Sequence, residues 1–256
     1  MSRPLPTVVF FAGAFANPSC FDQLSARLEK AGYSTVYAHV PSLNPPDTTN
    51  ITTSKDSEQA REGVILPLLD DGKDVVIFVH SYGGVVGGAA AAGLSTVSRS
   101  AEGKKGGVLG LLYLVGNIVG EGETLLQAVG GAYPPFIKQD TPSKGLAVID
   151  PVMETLYGDA DPALAPKLED AMVPHALAAF ETPATKPAWA ESAFDGRRAY
   201  IRTLDDQCNP LFLQDMWIQK SGVEWTTADL KSSHCPFISK VEDVAAITIE
   251  LIKKWQ

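Results

Sequence analysis

The sequence predicts an α/β domain with a mostly parallel central sheet that is flanked by helices. Two observations carry this prediction. Short runs that are apolar almost throughout, such as VVIFV before His80, are typical of strands buried on both faces. Such runs alternate along the chain with stretches of helical periodicity, which indicates strand–helix–strand units. With 256 residues, 45% of them hydrophobic, the chain is long enough to bury a sizeable core without disulfides.

The elements follow one another in a regular order. The apolar runs predict strands at 7–13, 33–40, 74–80, 108–115, 197–206 and 223–229. Helical patterns occupy 17–32, 55–70, 82–95, 210–222 and 240–255. The first helix has Asn17 as a cap, Pro18 in its first turn and Gly32 at its end. The polar segments 41–54 and 98–107 are interpreted as loops.

The strand pattern is interrupted between residues 116 and 195. This stretch begins with sequence rich in Gly and Pro and continues as helix-like pieces, including DPVMETLYG and DPALAPKLEDAMVPHALAAFET. We therefore divide the chain into a core of residues 1–115 and 196–256 and a helical cap insert of residues 116–195.

Charge and cysteine content narrow the set of partners. Asp and Glu outnumber Lys and Arg by 30 to 21 and no basic run stands out, so neither nucleic acid nor a membrane is an expected partner. The three cysteines, Cys20, Cys208 and Cys235, lack the paired spacing of a disulfide framework or a zinc site. We expect no metal or other cofactor, a small-molecule substrate and, without a recognisable signal or membrane-spanning segment, a cytoplasmic location. Whether the protein forms a homodimer stays open.

Ser81 lies where the third predicted strand gives way to a helix of small residues. The nucleophile elbow, Gly-x-Ser-x-Gly, places a serine on a sharp turn at such a junction. The second small position is Gly83 here, but the first is Val79, so the motif is incomplete. A serine in front of a helix is also a common cap. Ser81 is therefore a candidate nucleophile that needs a base and an acid from elsewhere in the chain.

One histidine meets the requirements for the base. His234 follows the last strand, at the sheet edge where loops converge, and comes after the acid in the order seen in α/β-hydrolases. The acid should follow the strand at 198–203, and both Asp205 and Asp206 do. Asp206 is preferred because it stands shortly before Pro210, where the next helix begins, and Asp205 is the alternative.

The remaining parts of such a site are an oxyanion hole and a pocket. Tyr82, directly after the serine, is the candidate for one backbone N–H donor. Ala14 is the candidate for the other, with Phe15 as the alternative, in a turn where Gly13 permits close approach. Aromatic residues that are candidates for lining the pocket, with packing in the cap as the alternative for each, are Phe15, Tyr133, Phe136, Phe180 and Trp189.

These residues resemble the α/β-hydrolase superfamily, and within it the branch that contains plant methylesterases and hydroxynitrile lyases. The likeness is carried by VVFFAGAF, CFDQLSARLEKAGYSTVYAHVPS, VVIFVHSYGG, AYIRTLDDQCNPLFLQDMWIQKSG and HCPFISKVEDVAAITIEL, and the loop SRSAEGKKGGV is similar to that of fungal members. The resemblance implies the α/β-hydrolase fold with a triad of Ser81, Asp206 and His234. Lyases of this branch have Thr at the position of Gly13 and Lys at that of Cys235, so the resemblance implies an esterase-like member.

The sequence therefore predicts a serine hydrolase that cleaves an ester, thioester or lactone of a small apolar molecule through an acyl-enzyme. An alternative is a lyase, retro-aldol or cyclase activity in which the same triad serves as an acid/base pair. A binding protein with an inactive triad ranks last, because all three triad residues are present in order.

Overall fold

A six-stranded parallel sheet lies at the centre of the computed structural model, which describes residues 4–256. The strands in chain order are β1 (Thr7–Phe11), β2 (Ser34–Ala38), β3 (Val75–His80), β4 (Val108–Leu114), β5 (Ile137–Gln139), β6 (Leu146–Ile149), β7 (His175–Ala176), β8 (Arg198–Thr203) and β9 (Thr226–Leu230). The central sheet has the order β2-β1-β3-β4-β8-β9, and every neighbouring pair is parallel. The predicted fold class is confirmed.

Burial along the strands follows their place in the sheet. Every residue of β1, β3 and β4 is buried, as the continuous apolar runs predict for strands covered on both faces. Of the two edge strands, β9 is mostly exposed and β2 is mostly half-buried. Strand β9 begins at Thr226 rather than at the predicted residue 223, because an exposed edge strand lacks the apolar run that marks a central one.

Helices cover the sheet. They are α1 (Asp22–Lys30), α2 (Thr53–Ala60), α3 (Leu66–Asp70), α4 (Gly83–Ala90), α5 (Thr96–Ala101), α6 (Leu125–Ala128), α7 (Val152–Leu156), α8 (Ala165–Asp170), α9 (Ala178–Glu181), α10 (Leu211–Ser221), α11 (Pro236–Ser239) and α12 (Val241–Trp255). Helix α1 packs against α12, and α2 packs against α4, which in turn contacts β1 and β3. Within the described part of the chain, no helix combines the length and the apolar character needed to cross a membrane.

Two local predictions need correction. The segment 98–107, expected to be a loop, overlaps helix α5, which begins because the Ser95 side chain accepts a hydrogen bond from the Ser98 backbone N–H at 2.9 Å. The helix expected at 55–70 is divided into α2, one turn of π-helix at Arg61–Ile65, and α3. Pro67 lies in the first turn of α3, where a missing backbone N–H is tolerated.

The insert contains the predicted short helices and, in addition, a small antiparallel sheet of β5, β6 and β7. These strands have three, four and two residues, too few to give a recognisable alternating pattern. The insert joins the core through β7, because the Ala176 N–H donates to the Ser42 carbonyl at 2.9 Å and His175 forms a bridge with Leu43.

Candidate active site

Ser81 occupies a strained turn between β3 and α4. Its φ is 50°, in the left-handed region that costs a residue with a Cβ on the order of 1–3 kcal/mol. The turn is held by the Ser81 carbonyl, which accepts hydrogen bonds from the backbone N–H groups of Gly84 at 2.8 Å and Asn117 at 2.9 Å. Backbone strain of this kind concentrates at functional sites, so the conformation supports the predicted elbow.

Close packing around the turn explains the small residues near it. A Cβ on Gly83 would lie 2.4 Å from the Phe11 carbonyl oxygen, so α4 could not approach β1 with a larger residue there. A Cβ on Gly87 would lie 2.6 Å from Cγ1 of Val79. The bulk of Val79 at the first small position of the elbow is therefore accommodated by the missing side chain of Gly87.

His234 and Asp206 form a buried hydrogen-bonded pair. His234 Nδ1 lies 2.8 Å from Oδ2 of Asp206, and both residues are buried. The carboxylate also accepts hydrogen bonds from the Thr203 hydroxyl and from the backbone N–H groups of Cys208 and Asn209, each at 2.8 Å. Asp205, the alternative acid, is exposed. The structure thus brings Asp206 to His234.

The carboxylate controls the protonation of the imidazole. Burial on its own would lower the pKa of His234, but the adjacent Asp206, together with Cys208, outweighs burial and raises the pKa well above the usual 6.5. Because Nδ1 faces the carboxylate, the hydrogen bond selects the tautomer with the proton on Nδ1. Nε2 of the neutral ring then carries the lone pair that a general base requires.

His80 contacts the backbone of His234. Its Nε2 lies 2.9 Å from the carbonyl oxygen of His234, to which it can only donate, and the two rings are 4.6 Å apart. Burial, and next the charge of His234, lower the pKa of His80 well below 6.5, so it stays neutral. Sequence order excluded His80 as the base, and its contacts are those of a structural support.

Two cavities meet at Ser81. The large chamber, of about 110 Å³, is lined mainly by apolar side chains that include Leu125, Val129, Tyr133, Phe136, Phe180 and Leu213. The small chamber, of about 50 Å³, is lined by His80, His234, Cys235, Leu156, Tyr157 and Phe237. Ser81 lines both chambers, together with Ala14, Phe15, Ile137 and Cys208. Ser81 and His234 thus share the small chamber.

The other candidate residues separate into two groups. Ala14, Tyr82, Phe15, Tyr133, Phe136 and Phe180 all line the large chamber. Within residues 4–256, the backbone N–H groups of Ala14 and Tyr82 donate no hydrogen bond to protein acceptors. Trp189 lines neither chamber: its carbonyl accepts a hydrogen bond from Arg198 at 2.6 Å, and its ring lies next to Gly88 of α4.

Sequence reasoning missed several residues that line the chambers. Asn117, Cys208 and Asn209 line the large chamber, and Tyr157 lines the small one. Asn209 Nδ2 is buried without a partner among the described residues, so it is a polar group in a mainly apolar wall. No pattern marks such positions, because loop conformation decides which side chains face a cavity. Within residues 4–256, no three His, Cys, Asp or Glu side chains are grouped so that they could hold a metal ion.

His175, behind the wall of the large chamber, makes stability depend on pH. It is fully buried, stacks on Phe180 at 4.8 Å, and neither ring nitrogen has a partner among the described residues. Burial lowers its pKa from 6.5 to about 3. Below pH 6.5, His175 binds a proton in the unfolded chain but stays neutral in the folded chain. This residue therefore reduces the stability of the folded protein as the pH falls from about 6.5 to about 3.

We expect the variant His175→Phe to remove this contribution while it keeps the aromatic stack. The contribution at pH 5 is about 2 kcal/mol, at about 1.4 kcal/mol per pKa unit. The measurement is the change in the free energy of unfolding in urea between pH 7.5 and pH 5, compared for the two proteins. The comparison of slopes also controls for the larger size of phenylalanine. Equal pH dependence in both proteins would contradict the prediction.

Comparison with known proteins agrees with this architecture. A model of the Alpha/beta hydrolase family matches residues 8–247. The chain is 26% identical over 238 residues to Alpha/beta hydrolase nvfD of Aspergillus novofumigatus, with 91% of each chain covered. It is 24% identical over 251 residues to the putative chloroplastic methylesterase 14 of Arabidopsis thaliana, covering 91% of this chain and 68% of the relative.

A solved structure shows the same fold. The pyrethroid hydrolase of Sphingobium faniae JZ-2 superposes with a TM-score of 0.75 at 20% identity, with 97% of each chain covered. The relatives are named as hydrolases and esterases, and they include both a fungal protein and a plant methylesterase. These matches confirm the likeness that the sequence motifs predict. The chain is an enzyme that belongs to the alpha/beta hydrolase family.

Proposed function

We propose that the protein is a serine hydrolase that cleaves an ester, thioester or lactone of a small apolar molecule through an acyl-enzyme. One observation carries the proposal: the strained Ser81 lines the same small chamber as His234, which is hydrogen-bonded to Asp206. These are a nucleophile, a base and an orienting acid, the three roles that acyl transfer by a serine requires.

The mechanism follows from these roles. His234 Nε2 takes the proton of the Ser81 hydroxyl as the oxygen attacks the substrate carbonyl, and Asp206 stabilises the imidazolium that forms. The tetrahedral oxyanion accepts hydrogen bonds from the backbone N–H groups of Ala14 and Tyr82. The bond to the leaving group breaks as His234 returns the proton to it. A water molecule, deprotonated by the same histidine, then hydrolyses the acyl-enzyme and regenerates Ser81.

The two chambers suggest how a substrate is oriented. The departing oxygen or sulfur must receive its proton from His234, which lines the small chamber, so we assign the leaving group to that chamber. The larger, mainly apolar chamber then takes the acyl group. A volume of about 50 Å³ favours a leaving group of few atoms. The putative methylesterase among the similar proteins is named for ester cleavage, and the solved structure is named as a hydrolase, which agrees with this class.

Lyase, retro-aldol or cyclase chemistry on the same scaffold is the alternative. Release of an anion such as cyanide is helped by a cation near the departing group. Cys235 lies in the small chamber, and burial raises the pKa of its thiol well above 9.0, so it stays neutral. Because a neutral thiol cannot stabilise a departing anion as a cation would, the presence of Cys235 favours hydrolysis over such lyase chemistry. We further propose a cytoplasmic enzyme whose partner is its small-molecule substrate.

A panel of esters tests the proposed function. The esters vary the acyl group in chain length and ring content, and vary the alcohol from methyl to benzyl, with the Ser81→Ala variant as the blank. We expect hydrolysis to be fastest for apolar acyl groups with small alcohols and to be absent in the blank. A protein that reacts with a serine-directed probe but hydrolyses no ester in the panel would favour the alternative chemistry.

Tyr157 is expected to limit the size of the leaving group. It lines the small chamber and also a neighbouring cavity of about 250 Å³, and its hydroxyl lies 3.8 Å from Sδ of Met172. Removing the ring in Tyr157→Ala would join the two cavities. We expect kcat/KM for benzyl relative to methyl esters to rise by roughly 10-fold or more, since each accommodated methylene contributes roughly 10–200-fold.

The matched control is Tyr157→Phe, which keeps the ring and should keep the preference for small alcohols. An unchanged benzyl-to-methyl ratio in folded Tyr157→Ala would show that this ring does not limit the leaving group.

A further inference from the structure

A buried carboxylate outside both chambers is connected to the residue that follows the nucleophile. Asp56 lies in α2 and is completely inaccessible to solvent. Its carboxylate accepts hydrogen bonds from the Tyr82 hydroxyl at 2.5 Å, from the Ser42 backbone N–H at 3.0 Å and from the Ser42 hydroxyl. These donors are all neutral. Burial raises the pKa of Asp56, and its hydrogen bonds oppose this rise.

The hydrogen bond to Asp56 fixes the hydroxyl end of the Tyr82 side chain. Its ring packs edge-on against His175 at 4.9 Å and against Phe180 at 5.6 Å. At the other end, the Tyr82 carbonyl accepts from the Val85 N–H at 3.0 Å and so belongs to the first turn of α4. The side chain therefore spans from the nucleophile turn to Asp56.

Helix α2 also holds the insert. The Thr53 N–H donates to the Thr182 hydroxyl at 3.0 Å, and the Thr53 hydroxyl donates to the Ala179 carbonyl. Ser42, which binds Asp56, accepts the Ala176 N–H of β7 through its carbonyl. Asp56 thus lies at the point where the nucleophile turn, the core helix α2 and the insert are tied together.

We propose that Asp56 is a positioning residue for the reaction at Ser81. By holding the Tyr82 hydroxyl, it fixes the Tyr82 backbone N–H in the place where the oxyanion forms. The proposal rests on the proposed function. Small displacements matter here, because oxyanion donors act only at hydrogen-bond distance from the developing charge.

The test measures acylation directly, with a labelled fluorophosphonate that phosphonylates active serines. The rate constant of labelling and the kcat and KM for the best ester are compared for the wild type, Asp56→Ala, Tyr82→Phe and the double variant. We expect each single variant to label and turn over about 10-fold more slowly, a part of the roughly 10²–10³-fold lost with a whole donor, with KM nearly unchanged. The double variant should be no slower than the slower single variant, because both substitutions break the same contact.

Ser57→Ala is the matched control. Ser57 is also buried, one residue further along α2, and its hydroxyl donates to the Thr53 carbonyl at 3.0 Å. It should label at the wild-type rate even if its melting temperature falls. If Asp56→Ala does not fold, Tyr82→Phe alone decides: slow labelling supports the proposal and the wild-type rate overturns it. Additive losses in the double variant also overturn it. A wild-type protein that is not labelled at all would instead contradict the proposed function.

Discussion

Replacing Ser81 with alanine is expected to lower kcat for ester hydrolysis by roughly 10⁴–10⁶-fold, the scale of loss when a triad nucleophile is removed. The variant lacks the oxygen that forms the acyl-enzyme, while the turn and both chambers keep their shape. Because alanine also carries a Cβ, it tolerates the left-handed φ of 50° no better and no worse than serine. The measurement is kcat for the best ester of the panel, with the melting temperature recorded for both proteins.

Ser232→Ala serves as the control for this substitution. Ser232 is fully buried near His234, and its hydroxyl has no partner among the described residues, so its removal should leave kcat unchanged. Retention of more than about a hundredth of the activity in Ser81→Ala would mean that the reaction does not proceed through this hydroxyl, since oxyanion binding alone accounts for far less.

The second large effect is expected from Asp206→Asn. The amide keeps the size of the side chain but loses the charge that stabilises the imidazolium of His234 and selects its tautomer. We expect kcat to fall by about 10⁴-fold, as in other triads that lose the acid. Asp205→Asn is the natural control, because Asp205 is exposed and its neighbour makes the contact to His234. A large loss in Asp205→Asn together with a normal Asp206→Asn would reverse the assignment.

The pH profile of the same variant gives an independent test. His234 acts as a base only when neutral, so kcat/KM should fall as the pH drops through its pKa. Burial lowers that pKa and Asp206 more than restores it, so the acid limb of the wild type lies above 6.5. Without the carboxylate, burial lowers the pKa of His234 and only the smaller effect of Cys208 opposes it, so the limb should move to lower pH. A limb that stays in place would show that Asp206 does not control the protonation of His234.

Much of the core could be predicted because its central strands have a recognisable sequence pattern. β1, β3 and β4 are buried at every residue, and a continuous apolar run is the sequence signature of such strands. The strands of the insert could not be found in this way, because two to four residues hold no periodicity. Helix α5 was missed because its charged and polar surface is that of a loop, and its cap at Ser95 is a single side-chain contact.

The site shows the same division. Chain order and position at the sheet edge singled out His234, but the choice between Asp205 and Asp206 depends on which carboxylate the backbone turns inward. Four of the five pocket candidates line the large chamber, while Trp189 packs against α4, because an aromatic residue in an insert serves a wall or a core equally well. No sequence pattern singled out Asp56, since its proposed role depends on the Tyr82 hydroxyl, which approaches it from a different part of the chain.

The most direct test of the catalytic centre is covalent labelling followed by peptide mapping. The folded protein is incubated with a labelled fluorophosphonate, and the modified residue is identified by mass spectrometry. We predict one label per chain, on the oxygen of Ser81, and none in the variant His234→Ala over the same time. A folded protein that takes up no label, or carries it on another residue, would contradict the assignment of Ser81 as the nucleophile.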